Sequence, residues 1–161
     1  MGVTHLKAYQ QIPSVRIRAV CDAVRLPKNG LLPGVSGNIP GHDALRLESE
    51  VKSYRNLDEL LADPEIDLVD LCVPTPQHHP QAIAALRAGK HVICEKPLAR
   101  TSALASEIVQ VAKRAKGYFM PAMCMRFWPE WAWLKEAVDQ ETFGQALAVR
   151  FRRAAEPPGW S

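Results

Sequence analysis

The strongest constraint on the fold is the alternation of short apolar runs with segments that repeat apolar residues at helical spacing. The apolar runs cover residues 15–21, 66–73, 91–94 and 118–125, and helical patterns or clusters of breakers separate them. Alternation of this kind is typical of βαβ units, in which helices connect parallel strands. The sequence therefore predicts an α/β fold with a mainly parallel sheet, and 161 residues suffice for a hydrophobic core.

Turn-forming residues indicate where the predicted elements begin and end. Prolines and glycines crowd residues 26–41, which predicts a loop or insertion there. Asn56 precedes a helical segment with a Glu three positions later, the pattern of a capping box. Gly89 and Gly117 are placed to stop two further helices. A last apolar run, 146–151, predicts another strand.

Charge and composition exclude several classes of partner. The 20 basic and 17 acidic residues are spread along the chain without a run of like charge, so neither nucleic acid nor a membrane surface is an expected partner. The four cysteines lie far apart, without metal-ligand spacing. We find neither a secretory leader pattern nor an apolar stretch long enough to span a bilayer. The expectation is a cytoplasmic protein without a bound metal.

Polar or rigid residues follow three of the predicted strands, as Asp22, 74–78 and 95–97. In an open parallel sheet the ligand crevice lies outside the carboxyl ends of the strands, so these residues are expected at one edge. In a fold that binds a dinucleotide, an acid at the end of the second strand can accept hydrogen bonds from the adenosine ribose hydroxyls, and its charge repels a 2′-phosphate. Asp22 would therefore favour NAD over NADP. One alternative is that Asp22 is a solvated aspartate in a turn. The other is that the nearby Arg25 weakens the preference for NAD over NADP.

Lys96 is the candidate for the chemistry itself. An isolated lysine after a strand is commonly a solvated surface cation. Here Pro97 restricts Lys96 to an extended backbone, which gives the side chain a defined direction, and Glu95 supplies an adjacent carboxylate. Near a cationic nicotinamide and partly desolvated, an ammonium gives up its proton more readily, which suits proton exchange with a substrate hydroxyl during hydride transfer.

One segment of the chain resembles a known family. Residues 85–99, ALRAGKHVICEKPLA, are closely similar to the signature of the glucose-fructose oxidoreductase and inositol dehydrogenase family (Gfo/Idh/MocA). Supporting similarity extends over nearly the whole chain apart from residues 26–51. It lies in YRNLDELL (54–61), DLVDLCVPTPQH (67–78), RFWP (126–129) and FGQA (143–146).

The resemblance implies a Rossmann-like, doubly wound parallel sheet that binds NAD or NADP. Lys96 matches the catalytic lysine of the family's Glu-Lys-Pro motif, and no metal ligand is implied. The positions expected to bind the cofactor are Gly2, Asp22, Pro74, His78, Glu95, Lys96, Pro97 and Arg126.

Two of these positions keep an alternative interpretation. For His78 it is a histidine at a helix start that contacts no ligand. For Arg126 it is an ordinary structural salt bridge, which the sequence supports equally well. Val73 stands where the family often has threonine, so one hydroxyl contact to the cofactor is not expected here.

The resemblance also sets expectations for the ends of the chain. Gly2 matches the third glycine of a Gly-x-Gly-x-x-Gly turn, so the first strand and two glycines of the family pattern would precede Met1. Residues 1–124 are expected to form an incomplete NAD(P)-binding Rossmann domain that lacks its first strand. Residues 125–161 are expected to begin a second α/β domain for substrate binding and oligomerisation.

The implied function is hydride transfer between NAD(P) and a secondary alcohol of a sugar, inositol or related polyol. The resemblance assigns it to a homo-oligomeric parent protein, and the fragment alone is expected to be inactive. The sequence leaves two alternatives. One is a non-catalytic nucleotide-binding or inert fragment, and the other is a family member that uses transient oxidation for elimination or glycoside cleavage.

Overall fold

Helices and strands alternate in the computed structural model, which describes residues 1–34, 43–152 and 154. Among these residues no helix is both long and apolar enough to cross a membrane. The elements, in chain order, are α1 (Gly2–Tyr9), β1 (Ala19–Cys21), β2 (Leu31–Leu32), β3 (Leu45–Arg46), β4 (Lys52–Tyr54), α2 (Leu57–Ala62), β5 (Leu68–Leu71), α3 (Thr75–Arg87), β6 (His91–Cys94), α4 (Ser102–Ala112), β7 (Phe119–Pro121), a 3₁₀ helix (Cys124–Phe127) and α5 (Pro129–Asp139).

The strands form two parallel sheets and one antiparallel pair. β5, β6 and β7 lie in that order, with Leu71 opposite Cys94 and Cys94 opposite Pro121. β1 pairs in parallel with β4, and β2 pairs antiparallel with β3. Helices α3 and α4 connect the three strands of the larger sheet, so the predicted α/β class with parallel strands is confirmed.

The main core lies between helices α3 and α4 and the larger sheet. Its centre consists of small and branched side chains that are almost completely buried, among them Ala85, Val92, Cys94 and Ile108. Burial raises the pKa of the Cys94 thiol to about 11, with smaller contributions from neighbouring carboxylates. Residues of β1, β4 and α2 pack against the same core, which joins the two parallel sheets in one unit.

Local signals placed several helix ends correctly. The Asn56 side chain accepts a hydrogen bond from the Asp58 amide at the start of α2, as predicted for a capping residue. Helix α3 begins at Thr75, because Pro74 and Pro76 fall where a helix tolerates proline. Gly89, with φ of 78°, follows the end of this helix.

One loop prediction and one strand prediction were wrong. β2 lies inside the expected loop 26–41, because β3 supplies its hydrogen-bonding partner, and residues 35–41 of that loop are outside the described part. The strand expected over 146–151 is not formed. Within the described residues no segment pairs with it, and Leu147 is 92% exposed. Apolar alternation alone did not supply the neighbour that a strand requires.

The chain divides into two compact units, Met1–Ala122 and Met123–Ser161. In the second unit the ring centroids of Trp131 and Phe151 lie 5.3 Å apart, and Trp133 is paired with Phe143 at 6.3 Å. The assignment of 1–124 and 125–161 to a cofactor domain and a substrate domain stays a prediction.

Asp63 connects β4 to the segment that leads into β5. Lys52 Nζ donates to Oδ2 at 2.8 Å, the Tyr54 hydroxyl donates to the same oxygen at 2.7 Å, and the Glu65 amide donates to Oδ1 at 2.9 Å. These bonds, with Lys52 contributing most, hold the pKa of Asp63 far below its usual range. The carboxylate is only 6% exposed, so its charge is matched by several donors.

Gly117→Ala is expected to destabilise the fold. Gly117 is buried, and a Cβ there would collide with the backbone carbonyl of Lys90, so the backbone would have to shift. We expect a loss of about 1–3 kcal/mol, measured by urea unfolding. The control is Gly2→Ala, where a Cβ would meet the Cys72 Cβ at an ordinary 3.6 Å. Equal stability of the two variants would contradict the predicted collision.

Asp63→Asn is expected to reduce the loss of protein stability that accompanies a fall in pH. The carboxylate has a lowered folded-state pKa, so its contribution is complete above the unfolded-state pKa of about 3.9 and is lost as pH falls below it. The variant should be less stable at pH 7 and converge with the wild type in acid, as thermal unfolding from pH 7 to pH 2 would record. Asp67→Asn, at an exposed aspartate nearby, should leave the profile unchanged.

Candidate active site

The carboxyl ends of β5 and β6 lie side by side. The Glu95 amide donates to the Leu71 carbonyl at 3.0 Å, which aligns the residue after β6 with the last residue of β5. The predicted segments 74–78 and 95–97 therefore leave the sheet at the same edge. Pro74 and Lys96 are exposed there, whereas Glu95 is only 7% exposed.

His78 connects these two segments from inside the protein. It is 1% exposed, and its ring nitrogens lie 2.8 Å from two carbonyl oxygens, Nδ1 from that of Pro97 and Nε2 from that of Val73. A carbonyl oxygen only accepts, so His78 is the donor in a hydrogen bond to either of them. The neighbouring His79 faces the surface, and its Nε2 lies 2.8 Å from Glu107 Oε2.

Lys96 has a fixed backbone and a free head group. Its amide donates to Glu95 Oε2 at 2.9 Å, and the peptide bond to Pro97 is cis. Within the described residues the Lys96 ammonium has no salt bridge or hydrogen-bond partner. The nitrogen is therefore available to a ligand at this edge of the sheet.

A charged cluster lies behind Lys96, and sequence analysis missed it. His5 Nδ1 lies 2.7 Å from Asp70 Oδ2, and His5 Nε2 lies 3.2 Å from Glu95 Oε1. The Tyr9 hydroxyl also donates to Asp70 Oδ2, at 2.7 Å. The available signals were the i, i+4 spacing of His5 and Tyr9 on one helix face and an aspartate inside an apolar strand.

Electrostatics favour the charged form of His5. The hydrogen bond to Asp70 is the main cause that raises the pKa of His5 to about 10, against an opposing effect of burial. Burial on its own raises the pKa of Asp70, but the hydrogen bonds from His5 and Tyr9 outweigh it and hold that pKa below its usual value. The imidazolium therefore lies between two carboxylates, those of Asp70 and Glu95.

The same cluster has the residue types of a metal site, because potential ligand atoms of His5, Asp70 and Cys72 lie within 4.8 Å of one another. The distance of 2.7 Å from His5 Nδ1 to Asp70 Oδ2 is a hydrogen-bond length. Two ligands at the corners of a zinc tetrahedron would lie about 3.3 Å apart. The arrangement is therefore that of a directly hydrogen-bonded cluster.

Asp22 is exposed at the end of β1, in the other parallel sheet. Its Oδ1 accepts hydrogen bonds from the amides of Val24 at 2.8 Å and Arg25 at 2.7 Å, so one carboxylate oxygen stabilises the turn. The turn role and the predicted contact to an adenosine ribose are compatible, because only Oδ1 takes part in the turn.

The two remaining predicted residues lie on α1 and on the 3₁₀ helix. Gly2 is the first residue of α1, with Cys72 as its nearest neighbour across the packing interface. Arg126 is an exposed residue of the 3₁₀ helix in the second unit. Its predicted cofactor contact remains a prediction.

Proteins of known sequence resemble this chain over most of its length. It is 32% identical to inositol 2-dehydrogenase of Mycolicibacterium smegmatis over 99% of the chain and 44% of that protein. It is 36% identical to myo-inositol 2-dehydrogenase of Thermotoga maritima over 66% of the chain and 33% of that protein. The chain thus spans less than half the length of these relatives.

Solved structures of dehydrogenases are also similar to this chain. A levoglucosan dehydrogenase in complex with NADH and levoglucosan is 35% identical, with a TM-score of 0.55, over 58% of the chain and 25% of that protein. A probable dehydrogenase from Thermotoga maritima is 36% identical, with a TM-score of 0.54, over 58% and 28%.

A family profile covers the whole first unit. Residues 1–123 match the family described as "Oxidoreductase family, NAD-binding Rossmann fold". The match includes the parallel strands and the cluster around Lys96, and it agrees with the resemblance carried by the Glu95-Lys96-Pro97 segment. The chain belongs to the Gfo/Idh/MocA family of oxidoreductases, which share an NAD-binding Rossmann fold.

Proposed function

We propose that this chain provides the cofactor-binding and proton-transferring part of an oxidoreductase that moves hydride between NAD and a secondary alcohol of a sugar or polyol. The observation that carries the proposal is the free ammonium of Lys96 on a backbone fixed at the carboxyl edge of a parallel sheet. Relatives named inositol 2-dehydrogenase support the polyol class. We place the protein in the cytoplasm.

Several residues fit a nicotinamide dinucleotide. Lys96, Pro97 and Pro74 present exposed surface at the sheet edge where ligands of parallel α/β folds bind. Asp22, in the turn after β1, has an oxygen left over from its turn hydrogen bonds for a ribose hydroxyl. When bound, the nicotinamide ring supplies the acceptor or donor of hydride.

Lys96 would move the proton that accompanies hydride transfer. Oxidation of a secondary alcohol removes a hydride from carbon and a proton from the hydroxyl oxygen. Neutral Lys96 Nζ accepts that proton and becomes an ammonium, and in reduction the ammonium returns it to the carbonyl oxygen. The group does not have to break an ion pair within the described residues first.

We assign residues 1–124 to an NAD(P)-binding domain and residues 125–161 to the beginning of a substrate-binding and oligomerisation domain. The division after Ala122 into two compact units supports this assignment. Arg126, exposed on the second unit, is the candidate for a contact to a bound ligand. A homo-oligomer remains part of the proposal for the intact protein.

Lys96→Ala is expected to lower kcat about 10²- to 10⁴-fold in the intact protein, because the substrate hydroxyl loses its proton acceptor. The measurement is NAD reduction with inositols and other polyols. Lys96→Arg should remain nearly as impaired, since a guanidinium keeps its charge but does not release a proton. Lys113→Ala, at an exposed lysine that ends α4, is the matched control. Wild-type kcat in Lys96→Ala would refute the assigned role.

Asp22→Asn is expected to relax the preference for NAD over NADP. The amide keeps an oxygen for the turn hydrogen bonds to Val24 and Arg25 but removes the charge that repels a 2′-phosphate. The ratio of kcat/KM for the two cofactors should shift roughly ten- to a hundredfold towards NADP. Thermal stability should stay close to that of the wild type. An unchanged cofactor ratio would leave Asp22 with the turn role alone.

A further inference from the structure

We propose that Asp70, His5 and Glu95 form a chain of charge-assisted hydrogen bonds that holds the Lys96 backbone in its working position, with His5 as the positioning residue. The effect on catalysis rests on the proposed function. That the cluster holds the Lys96 backbone follows from its geometry alone. Neither His5 nor Asp70 belongs to the residues predicted for the site.

The contacts run without a break from the strand β5 to the backbone of Lys96. Asp70 Oδ2 accepts from His5 Nδ1 at 2.7 Å, and Glu95 Oε1 lies 3.2 Å from His5 Nε2. The second Glu95 oxygen, Oε2, accepts the Lys96 amide at 2.9 Å. Each oxygen of the Glu95 carboxylate therefore has a different donor.

Each ring nitrogen of His5 contacts a carboxylate oxygen, and the Cys72 thiol lies further from Nδ1, with its sulfur at 3.4 Å. An ionised carboxylate accepts hydrogen bonds only, so both contacts require the imidazolium. Its positive charge lies between the charges of Asp70 and Glu95, whose side chains are 14% and 9% exposed. Hydrogen bonds between charged groups in such surroundings are about twice as strong as neutral ones.

Burial explains why Glu95 depends on His5. A carboxylate with so little contact to water is unfavourable unless charge and hydrogen bonds compensate it. Among the described residues His5 is the cation that contacts Glu95. Without His5, Glu95 would turn towards solvent, which would weaken its bond to the Lys96 amide.

The position of His5 is itself fixed. Tyr9, one helical turn further along α1, donates to the same Asp70 oxygen that His5 contacts. Helix α1 is thereby attached to β5 at two points, and the imidazole cannot rotate without losing both carboxylates. On the other side of Lys96, His78 donates to the Pro97 carbonyl. Two histidines from different helices thus contact the residues on either side of the lysine, His5 the Glu95 carboxylate and His78 the Pro97 carbonyl.

The test measures hydrogen exchange of the Lys96 amide by NMR in the 161-residue protein without ligand. His5→Leu should accelerate exchange at Lys96 about tenfold, the equivalent of one charge-assisted hydrogen bond. The Val92 amide, which donates to the Tyr118 carbonyl within the sheet, is the internal reference and should not change. If His5→Leu also accelerates exchange of the Val92 amide, the fold is perturbed. The proposal is then tested by exchange at Lys96 in His5→Gln and Asp70→Asn, which keep the side-chain volume.

Two controls separate the proposal from general destabilisation. Tyr9→Phe removes a hydroxyl from Asp70 but keeps the contacts of His5, so its effect at Lys96 should be smaller than that of His5→Leu. His79→Gln, at a surface histidine of α3, should have no effect at Lys96. Unchanged exchange of the Lys96 amide in His5→Leu would overturn the proposal. If His5→Leu perturbs the fold, unchanged exchange in both His5→Gln and Asp70→Asn would overturn it.

Kinetics of the intact protein supply the second readout. His5→Gln should lower kcat about tenfold and change KM for NAD by less than about twofold, because the lysine is misplaced while Asp22 and Pro74, outside the cluster, keep their positions. A rise in KM with unchanged kcat would overturn the positioning role. If the wild type shows no polyol oxidation, the proposed function fails, and the exchange experiment still decides whether His5 holds the Lys96 backbone.

Discussion

The parallel register of β5 and β6 is the constraint on which the candidate site depends. The bond from the Glu95 amide to the Leu71 carbonyl places the first residue after β6 beside the end of β5. That alignment brings Asp70 and Glu95, which are far apart in sequence, within reach of a single imidazole. Because side chains alternate along a strand, a register shift of one residue would turn Asp70 to the other face and dissolve the cluster.

Buried polar groups at this edge are costly, and the fold compensates each of them locally. His78 is satisfied by two backbone carbonyls, whereas Glu95 is satisfied by a side chain and a backbone amide. Among the described residues no buried side-chain nitrogen or oxygen lacks a hydrogen-bond partner. Such fully satisfied networks specify one arrangement of the chain, since partial satisfaction would leave a charge buried without compensation.

Features that depend on local sequence signals were predicted correctly, whereas features that depend on residues far apart in the chain were not. The parallel α/β class, the Asn56 cap and the placement of residues 95–97 after a buried strand all followed from short segments. The pair His5 and Asp70 did not, because 65 residues separate them and only the packing of α1 beside β5 brings them together. The strand expected over 146–151 failed for the converse reason: its pattern was suitable, but the described residues offer it no partner.

A lysine that exchanges protons has two opposed requirements, and the chain meets them at different atoms. The backbone must be held, because a displaced nitrogen no longer reaches the reacting hydroxyl. The head group must stay free of ion pairs, since a salt bridge would stabilise the ammonium and resist its deprotonation. Here the two oxygens of the neighbouring Glu95 carboxylate contact His5 and the Lys96 amide, and among the described residues neither oxygen contacts the Lys96 ammonium. The cluster behind the lysine therefore both fixes its peptide and leaves its nitrogen available.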